Sequence, residues 1–326
     1  MTTIEDPARV ELHHPDGSTS PLLIVEADQR DERRPSVLVL PGIAVGARYY
    51  LPLARALAAE GVDVAITELR GQGDSTYRIG RRSAPAGYHE SAAEDVPLAL
   101  DAMERRLGRR PVILLGHSMG AQIGVYHLAR HDPRVAGLVA VAAQSPFHRG
   151  FPGPVGRKLR AGSVILPALG WLSGHVPGQF FGAKGRIPAD RIRDWARLAA
   201  AGVMQPARAD LDYPAGLSRV TVPALAVVIA DDPLAPRECR TQPPGHAALR
   251  AHDPRARTRG AGAQLVGAPT RRGGRPGARV DGPGGRQARA GRRRGSRRLK
   301  NSYVRTAFRA SCVLSAAPAW PPSTFS

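Results

Sequence analysis

The sequence predicts an α/β fold in which a mostly parallel β-sheet carries helices on both of its faces. Short runs of consecutive apolar residues, the pattern of strands buried on both sides, recur along the first two thirds of the chain. Segments with apolar residues at helical spacing separate these runs. Strands that alternate with helices pair in parallel through crossovers, so helices cover both faces of the sheet.

The first element is a predicted hairpin, because the β-like runs VELHH and PLLIVEA flank the turn residues Pro15-Asp16-Gly17. Five buried strands are predicted after it: SVLVL, VDVAITEL, PVILLG, RVAGLVAVAA and TVPALAVVIA. Three helices are predicted between the first four of these strands: RYYLPLARALAAEG, ESAAEDVPLALDAMERRLG and AQIGVYHLARH. The second is predicted to be a helix in spite of Pro97.

Residues 144–215 interrupt this alternation before the last predicted strand. They are rich in Gly and Pro, carry Trp171, Phe180, Phe181 and Trp195, and contain one clear helix, PADRIRDWARLAAAG. An insertion of this kind between two core strands predicts a cap over a functional site.

The net charge of +20 comes almost entirely from the C-terminal part of the chain. Residues 239–326 hold 19 of the 47 Lys and Arg but only 2 of the 27 Asp and Glu, so they carry +17. Residues 1–238 carry only +3, which argues against a nucleic-acid-binding domain there. Both cysteines, Cys239 and Cys312, also follow this boundary, so we expect no disulfide framework in residues 1–238.

We expect a cytoplasmic protein with no membrane partner. The N-terminus has no basic patch followed by an apolar stretch, and no window approaches the roughly 20 apolar residues of a transmembrane helix. The spacing of His, Cys and carboxylates does not resemble a metal site, and we expect no metal and no cofactor. The oligomeric state is open.

Ser118 is the candidate nucleophile. The segment Gly116-His117-Ser118-Met119-Gly120 matches Gly-x-Ser-x-Gly, follows the buried strand PVILL and opens the helix AQIGVYHLAR. That context is the one a nucleophile elbow requires, in which a strained turn raises the serine hydroxyl above the sheet edge. Side chains at Gly116 or Gly120 would collide with neighbouring backbone in such a turn. An ordinary glycine-containing turn is the alternative.

Two backbone N–H groups are candidate donors to a developing oxyanion. Met119 follows the nucleophile at the start of a helix, where N–H groups point outward. The second candidate is Ile43, because Pro41-Gly42-Ile43 follows the strand SVLVL. A plain strand-ending turn is the alternative for the second donor.

The candidate acid follows the last predicted strand, where Asp231 and Asp232 come directly after LAVVIA. We favour Asp232, whose carboxylate would orient a histidine imidazolium. A helix N-cap is the alternative role for either residue.

Residues 37–238 resemble the α/β-hydrolase superfamily, and more narrowly a bacterial group of hydrolases related to serine aminopeptidases and esterases. The resemblance rests on LPGIAVGARYYLPLARALAAEG, ELRGQGDS, LLGHSMGAQIG, RDWARLA followed by LDYPAGL, and VPALAVVIADDPLAP. It implies the chain order serine, acid, histidine, and hydrolysis of an ester, thioester or amide of a small-molecule acyl substrate through an acyl-enzyme.

The resemblance stops after about residue 238. Family members continue with a helix, a last strand, the catalytic histidine and a closing helix, whereas His246 and His252 follow Asp232 by only 14 and 20 residues. The last strand and helix are therefore predicted to be missing and the general base is unassigned, a loss that costs on the order of 10⁶ in turnover.

The remaining histidines have structural interpretations. We expect His117 to pack beneath the elbow, His127 and His131 to face polar surroundings, and His13, His14 and His89 to lie at the surface. His148 and His175 belong to the predicted cap.

Residues 239–326 are dominated by Gly, Pro, Ala and Arg and predict a disordered tail, because they cannot bury enough apolar surface to offset ordering entropy. One hypothesis is a reading frame shifted near Arg237-Glu238; an evolved tail is the alternative. In a second, non-enzymatic interpretation of the chain, this tail binds nucleic acid or another polyanion. Nucleic acid is the less favoured partner, because few aromatic residues accompany the arginines.

The frame hypothesis predicts that another frame downstream of codon 237 encodes a hydrolase ending with a histidine. Sequencing the coding DNA checks this. An uninterrupted single frame whose alternatives encode no such ending would leave the evolved tail as the explanation.

Overall fold

The computed structural model describes residues 6–29, 31–151 and 153–227. The predictions for Asp231, Asp232, His246 and His252 and for residues 239–326 lie outside the described residues and stay predictions.

A seven-stranded sheet forms the centre of the described chain, in the order β1-β2-β4-β3-β5-β6-β9. The first two strands are an antiparallel hairpin, β2 pairs antiparallel with β4, and all the other pairs are parallel, as predicted. A separate antiparallel pair, β7 with β8, lies in the inserted segment. The strands are β1 Ala8–His13, β2 Thr19–Val25, β3 Ser36–Leu40, β4 Val64–Thr67, β5 Val112–His117, β6 Val135–Val141, β7 His175–Pro177, β8 Arg186–Pro188 and β9 Ala224–Val227.

The helices alternate with the strands as the apolar spacing predicts. A π-helical turn, Ser91–Asp95, joins α2 to α3, and Pro97 follows this turn as the second residue of α3. A 3₁₀ turn, Ala47–Tyr50, leads into α1. The helices are α1 Leu51–Ala59, α2 Tyr88–Glu90, α3 Val96–Leu107, α4 Met119–Leu128, α5 Gly153–Ser173, α6 Ala189–Ala201 and α7 Tyr213–Leu217.

Both faces of the sheet are covered at its centre, which is why the central strands are apolar at consecutive positions, whereas Leu225 and Val227 of the edge strand β9 are exposed. In β3, Leu38 and Leu40 pack into the core shared with α3 and α4, whereas Val37 and Val39 pack into the core shared with α1. All four side chains are buried, as the period of two in a strand requires when each face has a partner.

The segment 144–215 holds more helix than its sequence predicts. The predicted helix PADRIRDWARLAAAG is α6, but α5, with 21 residues, was missed. Its four glycines and two prolines conceal its period, and tertiary packing decides its conformation. The side chains that hold it to α6 and to the β7–β8 pair are Leu166, Val176, Ile187 and Ile192.

A buried charge cluster joins the hairpin to the helical layer. The Asp95 carboxylate lies 3.0 Å from His14 Nδ1 and 2.9 Å from Arg70 Nε, and these three side chains are at most 2% exposed. Arg70 also pairs with Asp16 at 3.2 Å, and Arg191 of α6 donates to the Arg70 carbonyl at 3.1 Å. The expectation that His14 lies at the surface is wrong, because its ring is buried in contact with the Asp95 carboxylate.

Burial by itself raises the pKa of Asp95, but the contact with His14 and the charge of Arg70 outweigh it and hold that pKa below its ordinary value. A carboxyl with a lowered pKa stabilises the fold above its unfolded-state pKa of about 3.9. That contribution disappears as the pH falls through the lowered folded-state pKa.

Replacement Asp95→Asn should therefore reduce the free energy of unfolding at pH 7 by about 3 kcal/mol, because it removes the carboxylate that lies 2.9 Å from the buried Arg70, which keeps only its pairs with Asp16 and Glu94. The deficit should shrink below about pH 4, where the wild-type carboxyl protonates as well. Urea unfolding across pH measures both. The control is Asp101→Asn, an α3 carboxylate 48% exposed, with an expected change of at most about 1 kcal/mol. Equal stability of Asp95→Asn and wild type at pH 7 would contradict the prediction.

Candidate active site

Ser118 occupies the sharp turn between a central strand and a helix. β5 ends at His117, α4 begins at Met119, and Ser118 between them has φ +52° and ψ −115°. A non-glycine residue at positive φ is strained, and such strain concentrates at functional sites. The Ser118 N–H donates to the Val141 carbonyl at 2.9 Å, and the residue is half-buried rather than packed in the core.

Two glycines make this turn sterically feasible. A Cβ at Gly116 would lie 2.3 Å from Ala121 Cα, and one at Gly120 would lie 2.0 Å from the Leu40 carbonyl oxygen. Both obstacles are backbone atoms that cannot rotate away. Glycine is therefore required at these two positions because any side chain would clash with backbone atoms. The second contact also brings the start of α4 against the end of β3.

The loop after β3 lies over the same turn. The Gly42 N–H donates to the Tyr50 hydroxyl at 2.9 Å, and that hydroxyl hydrogen-bonds His117 Nδ1 at 2.8 Å. Burial raises the pKa of Tyr50, so the hydroxyl stays neutral. Within the described residues the Ile43 N–H makes no hydrogen bond. Ile43 and Met119, the predicted donors, thus lie on two backbone segments that contact each other.

Gln72 organises this loop, and sequence reasoning missed it. Its Oε1 accepts from the Ala44 N–H at 2.8 Å, and its Nε2 donates to the carbonyls of Gly42 at 3.2 Å and Val45 at 3.1 Å. Ala44 is itself held at φ +54°. One buried amide thus satisfies three backbone groups around Ile43. Its place in the turn RGQGDS after a buried strand was the available signal.

Glu68 fixes the far end of the same loop. Its two carboxylate oxygens accept from the Ala47 N–H at 3.1 and 3.2 Å. Burial raises the pKa of Glu68, and the backbone donors at Ala47 and Asp74 oppose that rise. Gln72 and Glu68 together attach residues 42–47 to the turn that follows β4.

No histidine within the described residues hydrogen-bonds the Ser118 hydroxyl. His117 bonds Tyr50, as expected beneath the elbow, and His127 is buried against the Ala92 carbonyl and lies 3.6 Å from Asp132. His89, expected at the surface, is only 12% exposed and bonds Tyr213. The general base stays unassigned.

The candidate acid also lies outside the described residues, but the strand before it is placed. β9 pairs parallel with β6, with Val227 opposite Val141, and β6 pairs parallel with β5, with Val141 opposite His117. Parallel strands end at the same edge of a sheet. The chain beyond Val227 therefore continues from the edge where Ser118 lies.

A shallow cleft of about 530 Å³ lies elsewhere, at the ends of α3 and α4. Its charged side chains are already paired: Arg134 with Asp132 at 2.7 Å, and Arg130 with Asp210 at 2.7 Å. These pairs are a partly exposed ion-pair network, so the Ser118 turn is the better candidate site.

The order of the strands in the sheet, the strained turn at Ser118 and the loop after β3 that lies over this turn define the α/β-hydrolase class. A family model described as serine aminopeptidase, S33, matches residues 31–198, about half of the chain. The chain belongs to this family of hydrolases. The match includes Ser118 and ends before β9, so the region of the candidate acid lies beyond it.

Solved structures share the fold. A soluble variant of monoglyceride lipase from Saccharomyces cerevisiae, in complex with a substrate analogue, has a TM-score of 0.51 and 16% identity, and the alignment covers 70% of this chain and 78% of that one. DcsB, in complex with its substrate analogue, has a TM-score of 0.50 and 18% identity, with 71% and 82% covered. A comparison with curated protein sequences gives no match. At these identities the likeness shows the fold alone.

Replacing Gln72 with Leu should lower the free energy of unfolding by about 1–3 kcal/mol, because an isosteric apolar side chain leaves the Ala44 N–H and the Val45 carbonyl without partners. Hydrogen exchange at the Ala44 amide should become faster. Urea unfolding and amide exchange measure these effects. The exposed Gln179→Leu is the matched control and should change neither. Unchanged exchange at Ala44 in Gln72→Leu would show that the loop does not depend on this amide.

Proposed function

We propose that the chain is a serine hydrolase that cleaves an ester, thioester or amide of a small-molecule substrate through an acyl-enzyme on Ser118. The observation that carries the proposal is the strained, half-buried Ser118 between β5 and α4, at φ +52°. A serine with a purely structural role would not require a backbone at positive φ and glycines two residues before and after it.

In the proposed reaction the Ser118 hydroxyl attacks the acyl carbon. Negative charge then develops on the former carbonyl oxygen and is stabilised by the N–H groups of Ile43 and Met119. Three observations support this assignment: the contact of Gly120 with Leu40, the unpaired Ile43 N–H within the described residues, and the position of Met119 at the N-terminus of α4. The positive end of the helix dipole favours the same charge.

Asp232 is the proposed orienting acid. It follows Val227, the last residue of β9, by five residues, and β9 ends at the same sheet edge as β5. Its carboxylate would hold an imidazole in the tautomer that accepts the serine proton. The general base stays unassigned, and a chain without one would retain only a residual acceleration of about 10³–10⁴ over water from the oxyanion donors and binding.

A fluorophosphonate probe tests the nucleophile, because its phosphorus is attacked as an acyl carbon would be. We expect the full chain to be labelled and Ser118→Ala to show no labelling. Mass spectrometry of the labelled peptide identifies the residue. Ser163→Ala, a partly exposed serine of α5, is the matched control and should label like wild type. Equal labelling of Ser118→Ala and wild type would refute the assignment.

The same assay separates the two candidate acids. Labelling should slow by orders of magnitude in Asp232→Asn, since loss of the orienting carboxylate leaves the wrong imidazole tautomer. It should change little in Asp231→Asn. The reverse pattern would assign the acid to Asp231.

A further inference from the structure

The outward side of cap helix α5 is apolar and exposed. Side chains spaced by three, one, three, three and one residues form one face over three turns, which we call the α5 outer face: Ala161, Val164, Ile165, Ala168, Trp171 and Leu172. Val164 is 70% exposed, Ile165 60%, Trp171 66% and Leu172 60%. Single exposed apolar side chains are ordinary, but a continuous apolar face marks an interaction surface.

This exposure is additional to the packing of α5 against the rest of the cap. The opposite side of the helix is buried at Leu166 and Gly170, where Leu166 packs against Val176, Ile187 and Ile192. A further aromatic side chain, Phe180, is 61% exposed in the 3₁₀ turn that follows β7. Within the described residues, the α5 outer face therefore takes no part in the packing of the hydrophobic core.

The charges of the segment that carries this face are all of one sign. Residues 144–189 contain six Lys and Arg and no Asp or Glu, and all six are exposed: Arg149, Arg157, Lys158, Arg160, Lys184 and Arg186. At the other end of the helix, the Arg81 guanidinium carbon lies 5.9 Å from the centroid of the Trp171 ring. Residues 1–238 together carry only +3, so the cap concentrates positive charge.

We propose that the α5 outer face docks on an anionic lipid surface, with its apolar side chains among the acyl chains and its cations at the headgroups. Trp, Ile, Leu and Val beside Lys and Arg on one helix is the composition of an interfacial helix. Basic side chains near a membrane gain from the negative potential of anionic lipids.

The charge pattern favours lipid over the other occupants of such a face. A second copy of the chain would bring the same cations against these, and residues 239–326 carry +17 and would be repelled in the same way. The expectation of no membrane partner rested on the lack of a spanning segment, and among the described residues no helix is long and apolar enough to cross a bilayer. Peripheral docking needs only one face of a helix.

Sedimentation with vesicles tests the proposal on the full chain. Vesicles of phosphatidylcholine mixed with phosphatidylserine should bind it, and phosphatidylcholine alone should bind it more weakly. The double variant Ile165→Gln with Trp171→Gln should partition about tenfold more weakly, because two large side chains no longer leave water. Both positions are exposed, so the unfolding midpoint should stay unchanged.

The matched control is Val203→Gln, an apolar position 44% exposed outside α5, which should partition like wild type. The cationic tail is present in every variant, so its own attraction cancels in these comparisons. The proposal would be overturned if the double variant partitioned like wild type, or if the wild-type chain bound no vesicles. It would also be overturned if the chain self-associated and the double variant became monomeric without losing vesicle binding. Ser118→Ala should bind vesicles normally, so this test fails or succeeds independently of the proposed hydrolysis.

Discussion

The contact between Gly120 and the Leu40 carbonyl is the constraint on which the candidate site depends. A single added carbon at residue 120 would lie 2.0 Å from that oxygen, so the helix after Ser118 starts directly against the end of the neighbouring strand. This approach forces the turn at Ser118 to positive φ and brings the loop after β3 beside it. The candidate nucleophile and the candidate oxyanion donors are therefore positioned by backbone packing, which needs no reorganisation in the proposed reaction.

Polar side chains stabilise the loop that faces Ser118, and a separate buried cluster anchors the inserted segment 144–215. Gln72 and Glu68 accept from the N–H groups of Ala44 and Ala47, which would otherwise be buried without partners. Asp95 joins the hairpin to Arg70, whose carbonyl accepts from Arg191 of α6. Buried polar contacts therefore hold one side of the inserted segment, and α5 presents apolar and basic side chains on another side.

Strands and core helices were predictable because their signals are local. Consecutive branched residues in SVLVL and PVILLG, and the glycines around Ser118, report burial on both faces and a tight turn without any knowledge of neighbours. Helix α5 was not predictable, since its glycines and prolines oppose its conformation and Leu166 acquires its partners only from β7, β8 and α6. His14 was misplaced for the same reason, because Asp95 lies 81 residues away in the chain.

The sequence by itself determined the class of fold and pointed to the candidate nucleophile and the two candidate backbone donors, because hydrophobic period and glycine spacing act over a few residues. Only the tertiary structure decided that Gln72 holds the loop around Ile43, that His14 is buried and that α5 presents an apolar side outward. Each of these depends on groups distant in the chain, and a side chain's partner across a fold has no signature in the spacing of its own neighbours.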